Sequence, residues 1–133
     1  MNFVLDSSAM IAFLRAEEGG TSVREVLSQR ENECFAHAIN LCEVYYDFLR
    51  ASDHLTALAA LNDLATAGVV EIDHLRRSLW LAAGHLKARG RISLADCIGL
   101  ALAEERKAVF LTADHHEMDS VAAQGSHLIR FIR

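Results

Sequence analysis

Proline is absent from this 133-residue sequence, so no X-Pro turn or proline helix stop marks its boundaries. Those boundaries must be read from glycines, caps and periodicity. Cysteine is scarce: Cys34, Cys42 and Cys97 are odd in number and scattered. They fit neither a disulfide framework nor a C-x₂-C zinc pattern, and are expected to be buried, reduced thiols. No apolar run approaches the ~20 residues of a membrane span. The start, Met1-Asn2-Phe3-Val4-Leu5-Asp6, has no basic region and reaches an acid too early for a signal peptide. A soluble, cytoplasmic protein is therefore expected. Two catalytic signatures are also missing. No G-x-S-x-G elbow exists for a serine hydrolase, and Gly19-Gly20 lacks the lysine and spacing of a phosphate-binding loop.

What is present is apolar and acidic. Hydrophobic residues make up 52% of the chain, enough for one buried core and a single domain over residues 1–133. The net charge of −5 runs against a nucleic-acid partner, unless some of the acids are metal ligands whose charge bound cations offset.

Short apolar runs alternate with helical patterns. Phe3-Leu5, Cys34-Ala38, Val69-Ile72, Val109-Thr112 and Leu128-Ile132 read as strands. Between them, Met10 to Leu14, Val23 to Leu27, Leu41 to Leu49, Leu55 to Ala67, Leu75 to Leu86, Leu94 to Ala103 and Asp114 to Ala123 read as helices. This order predicts an α/β fold with a parallel sheet covered on both faces. In such sheets ligands gather at the carboxyl ends of the strands.

Acids stand there. Asp6 follows the first strand and Asp114 follows the fourth by two residues. Glu43 is expected in the first turn of the helix after the second strand. Asp96 opens a helix that follows another helix, so pattern alone does not place it. Capping explains most of them singly: Asn40 to Glu43, Ser93 to Asp96 and Asp114 to Glu117 all have capping-box spacing. Asp6 is the exception, because Ser7 and Ser8 can already cap its helix. Two carboxylates about 4 Å apart repel by about 4 kcal/mol at an effective dielectric of about 20. Four converging acids therefore demand protons or cations, and an all-oxygen site selects Mg²⁺ or Mn²⁺ over Zn²⁺. Ions held this way clamp a phosphate and activate water, which is the chemistry of phosphodiester hydrolysis.

The ordered motifs Val4-Leu5-Asp6-Ser7-Ser8-Ala9, Asn40-Leu41-Cys42-Glu43-Val44, Ser93-Leu94-Ala95-Asp96-Cys97 and Leu111-Thr112-Ala113-Asp114-His115-His116-Glu117 resemble the PIN-domain family, and within it the VapC-type toxins. The resemblance implies a three-layer α/β/α sandwich around a parallel sheet of about five strands. It implies an endoribonuclease using Mg²⁺ or Mn²⁺, usually a homodimer, silenced by an antitoxin protein. By position it makes Asp6 and Asp96 the principal ligands, with Glu43 completing the pocket and assisting with water. Asp114 becomes the fourth acid, and Ser8 and Thr112 its hydroxyl supports. Some members place an important acid three positions later, where this chain has Glu117.

Arg76, Arg77, Lys87, Arg89 and Arg91 form the main basic concentration. They read either as a solvated face or as phosphate contacts that position RNA. Trp80, one turn from Arg76, is a candidate for stacking a base or for partial core burial. The alternative function is a catalytically inactive domain of the same fold that binds RNA or a partner protein.

Overall fold

The computed structural model describes residues 1–125 and 127–133. The chain runs β1 (Asn2–Leu5), α1 (Ser7–Leu14), α2 (Gly20–Ser28), β2 (Glu33–His37), α3 (Ala38–Ala51), α4 (His54–Ala67), β3 (Val69–Ile72), α5 (Arg77–Arg89), α6 (Leu94–Glu105), β4 (Val109–Thr112), α7 (His115–Gln124) and β5 (Ile129–Phe131). The five strands form one sheet in the order β3-β2-β1-β4-β5, and every pairing is parallel.

Side chains on a strand alternate between faces, and that alternation divides the core in two. Phe3, Leu5, Cys34, Ala36, Val109 and Leu111 pack with residues of α1 to α4. Val4, Phe35 and Phe110 point the other way, onto α5, α6 and α7. The result is the expected three-layer sandwich. After Asn2 the central strand shows only apolar residues to both faces, which is why Phe3-Val4-Leu5 reads as continuous rather than alternating.

The chain builds outward from β1 through β2 to β3, then crosses back to set β4 on the other side of β1. The seam between β1 and β4 is therefore the topological switch point, where helices leave in opposite directions and open a crevice at the carboxyl edge. A backbone bond from Asp6 N to Leu111 O (3.1 Å) closes the seam at that edge.

Several local starts differ from the sequence reading. Helix α3 begins at Ala38 rather than after Asn40, because the His37 ring Nδ1 accepts from Ile39 N at 3.1 Å. Glu43 therefore sits in the second turn, and Asn40 is a buried interior residue. Helix α5 begins at Arg77, leaving Leu75 exposed outside it. Helix α1 is capped by Asp6 rather than by a serine. Cys34 and Cys97 are buried as expected, but Cys42 is exposed because α3 turns that side outward. At the end of α4, Gly68 takes a φ of 108°, a left-handed conformation that glycine adopts without strain.

Candidate functional site

The crevice at the seam is lined by carboxylates. Asp6 is 1% exposed, held by three short bonds that all come from residues the chain places there. Ala9 N (2.9 Å) and Ser8 Oγ (2.7 Å) donate to its Oδ1, and Thr112 Oγ1 donates to its Oδ2 at 2.5 Å. Ser8 Oγ in turn accepts from Ala113 N (2.9 Å), and Thr112 Oγ1 accepts from Asp114 N (3.0 Å). The two hydroxyls thus connect the β1 edge with the turn that follows β4. Burial raises the Asp6 pKa to about 6 despite those donors, with the charge of Asp114 adding to the rise.

Asp96 enters from the opposite layer. Ser93 caps α6 by accepting from Asp96 N at 3.2 Å, and the helix runs antiparallel to the strand it precedes, so its N-terminus points at the carboxyl edge. Asp96 is only 8% exposed. Burial first, then a hydrogen bond with Glu117, then the charges of Asp6, Glu117 and Glu43 push its pKa up to about 9. Glu117 moves the other way, held below the usual carboxylate range by the bond from Asp96 and by the Ser93 backbone N–H, 3.2 Å from its Oε2. At neutral pH the pair holds one proton, which stays on the more buried Asp96.

Glu43 is fixed by Asn40, whose Nδ2 donates to Glu43 Oε1 (3.2 Å) and to Ala95 O (3.4 Å). That second bond ties α3 to the first turn of α6. A bare Gly99 makes this approach possible, because a Cβ there would lie 3.1 Å from Asn40 Oδ1 and 2.9 Å from the Phe110 ring. Sequence reasoning took Asn40 for a cap. The available signal was its spacing, three residues before Glu43 and so on the same helix face.

Asp114 caps α7 through its Oδ1, which accepts from Glu117 N at 3.1 Å. Capping and convergence therefore coexist in one residue. Oxygens of Asp96, Asp114 and Glu117 lie within 4.8 Å of one another. Asp6, Glu43, Asp96, Asp114 and Glu117 thus form one mutually repelling group. The basic residues lie elsewhere: Arg76, Arg77, Arg89 and Arg91 are exposed along α5 and the loop after it. His115 stacks on Phe131 and bonds Asp119 and Arg133 O, and takes no part in the cluster.

The donor set suits a hard divalent cation. The ligand oxygens that gather within 4.8 Å of one another all belong to carboxyl groups, the hard donors that Mg²⁺ and Mn²⁺ prefer. Among the described residues, no helix is long and apolar enough to cross a membrane.

Comparison with known proteins agrees with this architecture. A chain of VapBC from Salmonella typhimurium, crystallised bound to DNA, matches with a TM-score of 0.76 at 15% identity, covering 100% of this chain and 99% of that one. VapBC2 from Rickettsia felis, bound to a promoter fragment, gives 0.75 at 15%, with 98% of each chain covered. VapC20 from Mycobacterium tuberculosis, a toxin that cleaves the sarcin-ricin loop, gives 0.71 at 19%, covering 90% and 94%. At these identities the likeness concerns the fold. No curated protein sequence matches this chain. The family model for the PIN domain matches residues 3–124. That stretch runs from within β1 to the end of α7 and includes all five carboxylates, and the chain belongs to the PIN domain family.

Proposed function

We propose that this chain, a single domain over residues 1–133, is a Mg²⁺- or Mn²⁺-dependent endoribonuclease and the toxin of a toxin–antitoxin pair. The observation that carries the reading is the group of five carboxylates at the β1–β4 seam, two of them almost fully buried. Such a group is a poor structural element by itself, because its mutual repulsion destabilises the fold unless a cation or proton offsets it. The structural neighbours described as VapBC pairs support an antitoxin partner. VapC20, which cleaves a ribosomal RNA loop, supports RNA as substrate. A homodimer in the cytoplasm completes the proposal.

Asp96, Asp114 and Glu117, with Asp6 beside them, would hold the ion. Bound there, it would polarise a phosphate oxygen and make water a better nucleophile. The chain's own residues do the rest. Asp96 holds a proton that a bound cation would displace, so loading the pocket would exchange one positive charge for another. Ser8 and Thr112 keep both Asp6 oxygens aimed into the seam. Asn40 occupies Glu43 Oε1, which leaves Oε2 to orient a water and take its proton as the water attacks phosphorus. The leaving 3′ oxygen is protonated from solvent, giving a 5′-phosphate and a 3′-hydroxyl.

The test is cleavage of single-stranded RNA by the purified chain in Mg²⁺ or Mn²⁺, with EDTA and Asp96→Asn as controls. Metal-dependent products bearing 5′-phosphates are expected. Binding without cleavage in either metal would overturn the nuclease reading in favour of an inactive RNA- or protein-binding domain.

A further inference from the structure

The outer face of α5 carries a feature that the carboxylate site does not use. Trp80, Leu81, Gly84, His85 and Ala88 line an open groove of about 290 Å³. Trp80 is 45% exposed, and the Arg77 guanidinium lies over one face of its ring, 5.0 Å from the centroid, a cation–π contact that steadies the indole. Gly84 forms the floor. Glycine is disfavoured in a helix interior, yet a Cβ at Gly84 would meet nothing within 4 Å. No contact inside the protein explains it, so the missing side chain serves something that docks from outside.

Charge identifies the occupant. From His74 to Ala95 the chain has no Asp or Glu, although it carries 18 acids in all. The same stretch holds Arg76, Arg77, Lys87, Arg89 and Arg91. Among the described residues none of these five pairs with a carboxylate. The end of α5 stands next to the start of α6, the helix that carries Asp96. Lys87 Nζ donates to Ile92 O (2.7 Å), folding the loop after α5 back beside Ser93 and Asp96. At the helical rise of about 1.5 Å per residue, Trp80 stands roughly 13 Å along the helix from Arg89.

We propose that this face of α5 is a docking groove for single-stranded RNA. One unpaired base stacks on Trp80 above Gly84, while Arg89 and Arg91 lead the phosphates toward the carboxylates. The inference rests on the nuclease reading for its choice of polynucleotide, but it is tested without cleavage.

Trp80 is the sole tryptophan, so its fluorescence reports the groove directly. In the Asp96→Asn background, a single-stranded RNA oligonucleotide is expected to quench it. Gly84→Leu fills the groove without altering charge and strengthens helix propensity, so circular dichroism should be unchanged. It is expected to weaken RNA binding about tenfold, the loss of one stacked base. Quenching without any metal-dependent cleavage by the native chain would sink the nuclease reading and leave the groove standing. Unchanged affinity and no quenching would sink the groove and leave the nuclease. Conversion of a dimer to a monomer by Gly84→Leu, with RNA affinity intact, would also overturn the proposal, by showing that the groove holds a second copy.

Discussion

Asp96 on α6 and Glu117 on α7 share a hydrogen bond and one proton, while the Ser93 backbone N–H donates to the same Glu117. The two helices are thus joined at their N-termini by the groups that a cation would claim. Metal binding would therefore be coupled to the contact between the starts of α6 and α7.

The first prediction follows from that proton. Folded pKa values of about 6 for Asp6 and about 9 for Asp96 lie above the unfolded value of about 4. The folded metal-free chain then binds more protons than the unfolded one, so its stability falls as pH rises. The stabilising contribution is complete below about pH 4 and is lost as pH passes through the two folded values. A divalent cation bound at the carboxylates would take the place of the protons. The rise in Tm on adding Mg²⁺ should therefore grow between about pH 5.5 and about pH 8.5, as read by thermal unfolding with and without the ion. A Mg²⁺ effect that is equal at both pH values would contradict the account.

Charge removal at constant volume separates activity from folding. Asp96→Asn and Asp6→Asn should each lower RNA cleavage at least about a hundredfold. Neither should lower the Tm of the metal-free chain at about pH 8: at position 6 the change relieves repulsion, and at position 96 an amide replaces a carboxyl that is already neutral and still donates to Glu117. An asparagine at position 6 also retains the cap on α1. Rates and melting curves on the same preparations check both halves.

Thr112→Val removes a hydroxyl from a nearly isosteric side chain. It deletes the donor to Asp6 Oδ2 and the acceptor of Asp114 N. That donor holds the Asp6 pKa down, so its loss should push the value above about 6. The acidic limb of the pH–rate profile should move upward, and Thr112→Ser should restore it. A Val variant whose profile is merely scaled would assign Thr112 a structural role only.

Asn40→Ala should destabilise the protein by about 1–3 kcal/mol, since it strips a buried partner from Glu43 and Ala95 O. Gly99→Ala should cost a similar amount by pressing on Phe110 and Asn40. Urea denaturation measures both. If either substitution is neutral, the α3–α6 contact is softer than its geometry implies.

The strands were legible because a parallel sheet buried on both faces demands continuous apolar runs, and Val69–Ile72 and Val109–Thr112 keep the expected bounds. Asp6 and Asp114 were legible for the same reason, since Asp6 directly follows such a run and Asp114 lies two residues after another. Asp96 was not, because its helix succeeds another helix, and only the antiparallel return of α6 onto β4 brings its start to the seam. The start of α3 was misread because a histidine ring serves as its cap, a role usually taken by Ser, Thr, Asp or Asn. That one displacement hid Asn40 as an interior residue and moved Glu43 by a turn. The proton shared by Asp96 and Glu117 has no sequence signature, as it arises from burial and from a contact between residues twenty-one positions apart.

The position of the seam has a consequence for the cell that makes this protein. Its donors come from both ends of the chain, from Asp6 near the start to Glu117 on the penultimate element. A nascent chain still threading from the ribosome owns Asp6 and Glu43 long before Asp96, Asp114 and Glu117 have been synthesised. The five carboxylates therefore cannot come together until the chain has been made through Glu117.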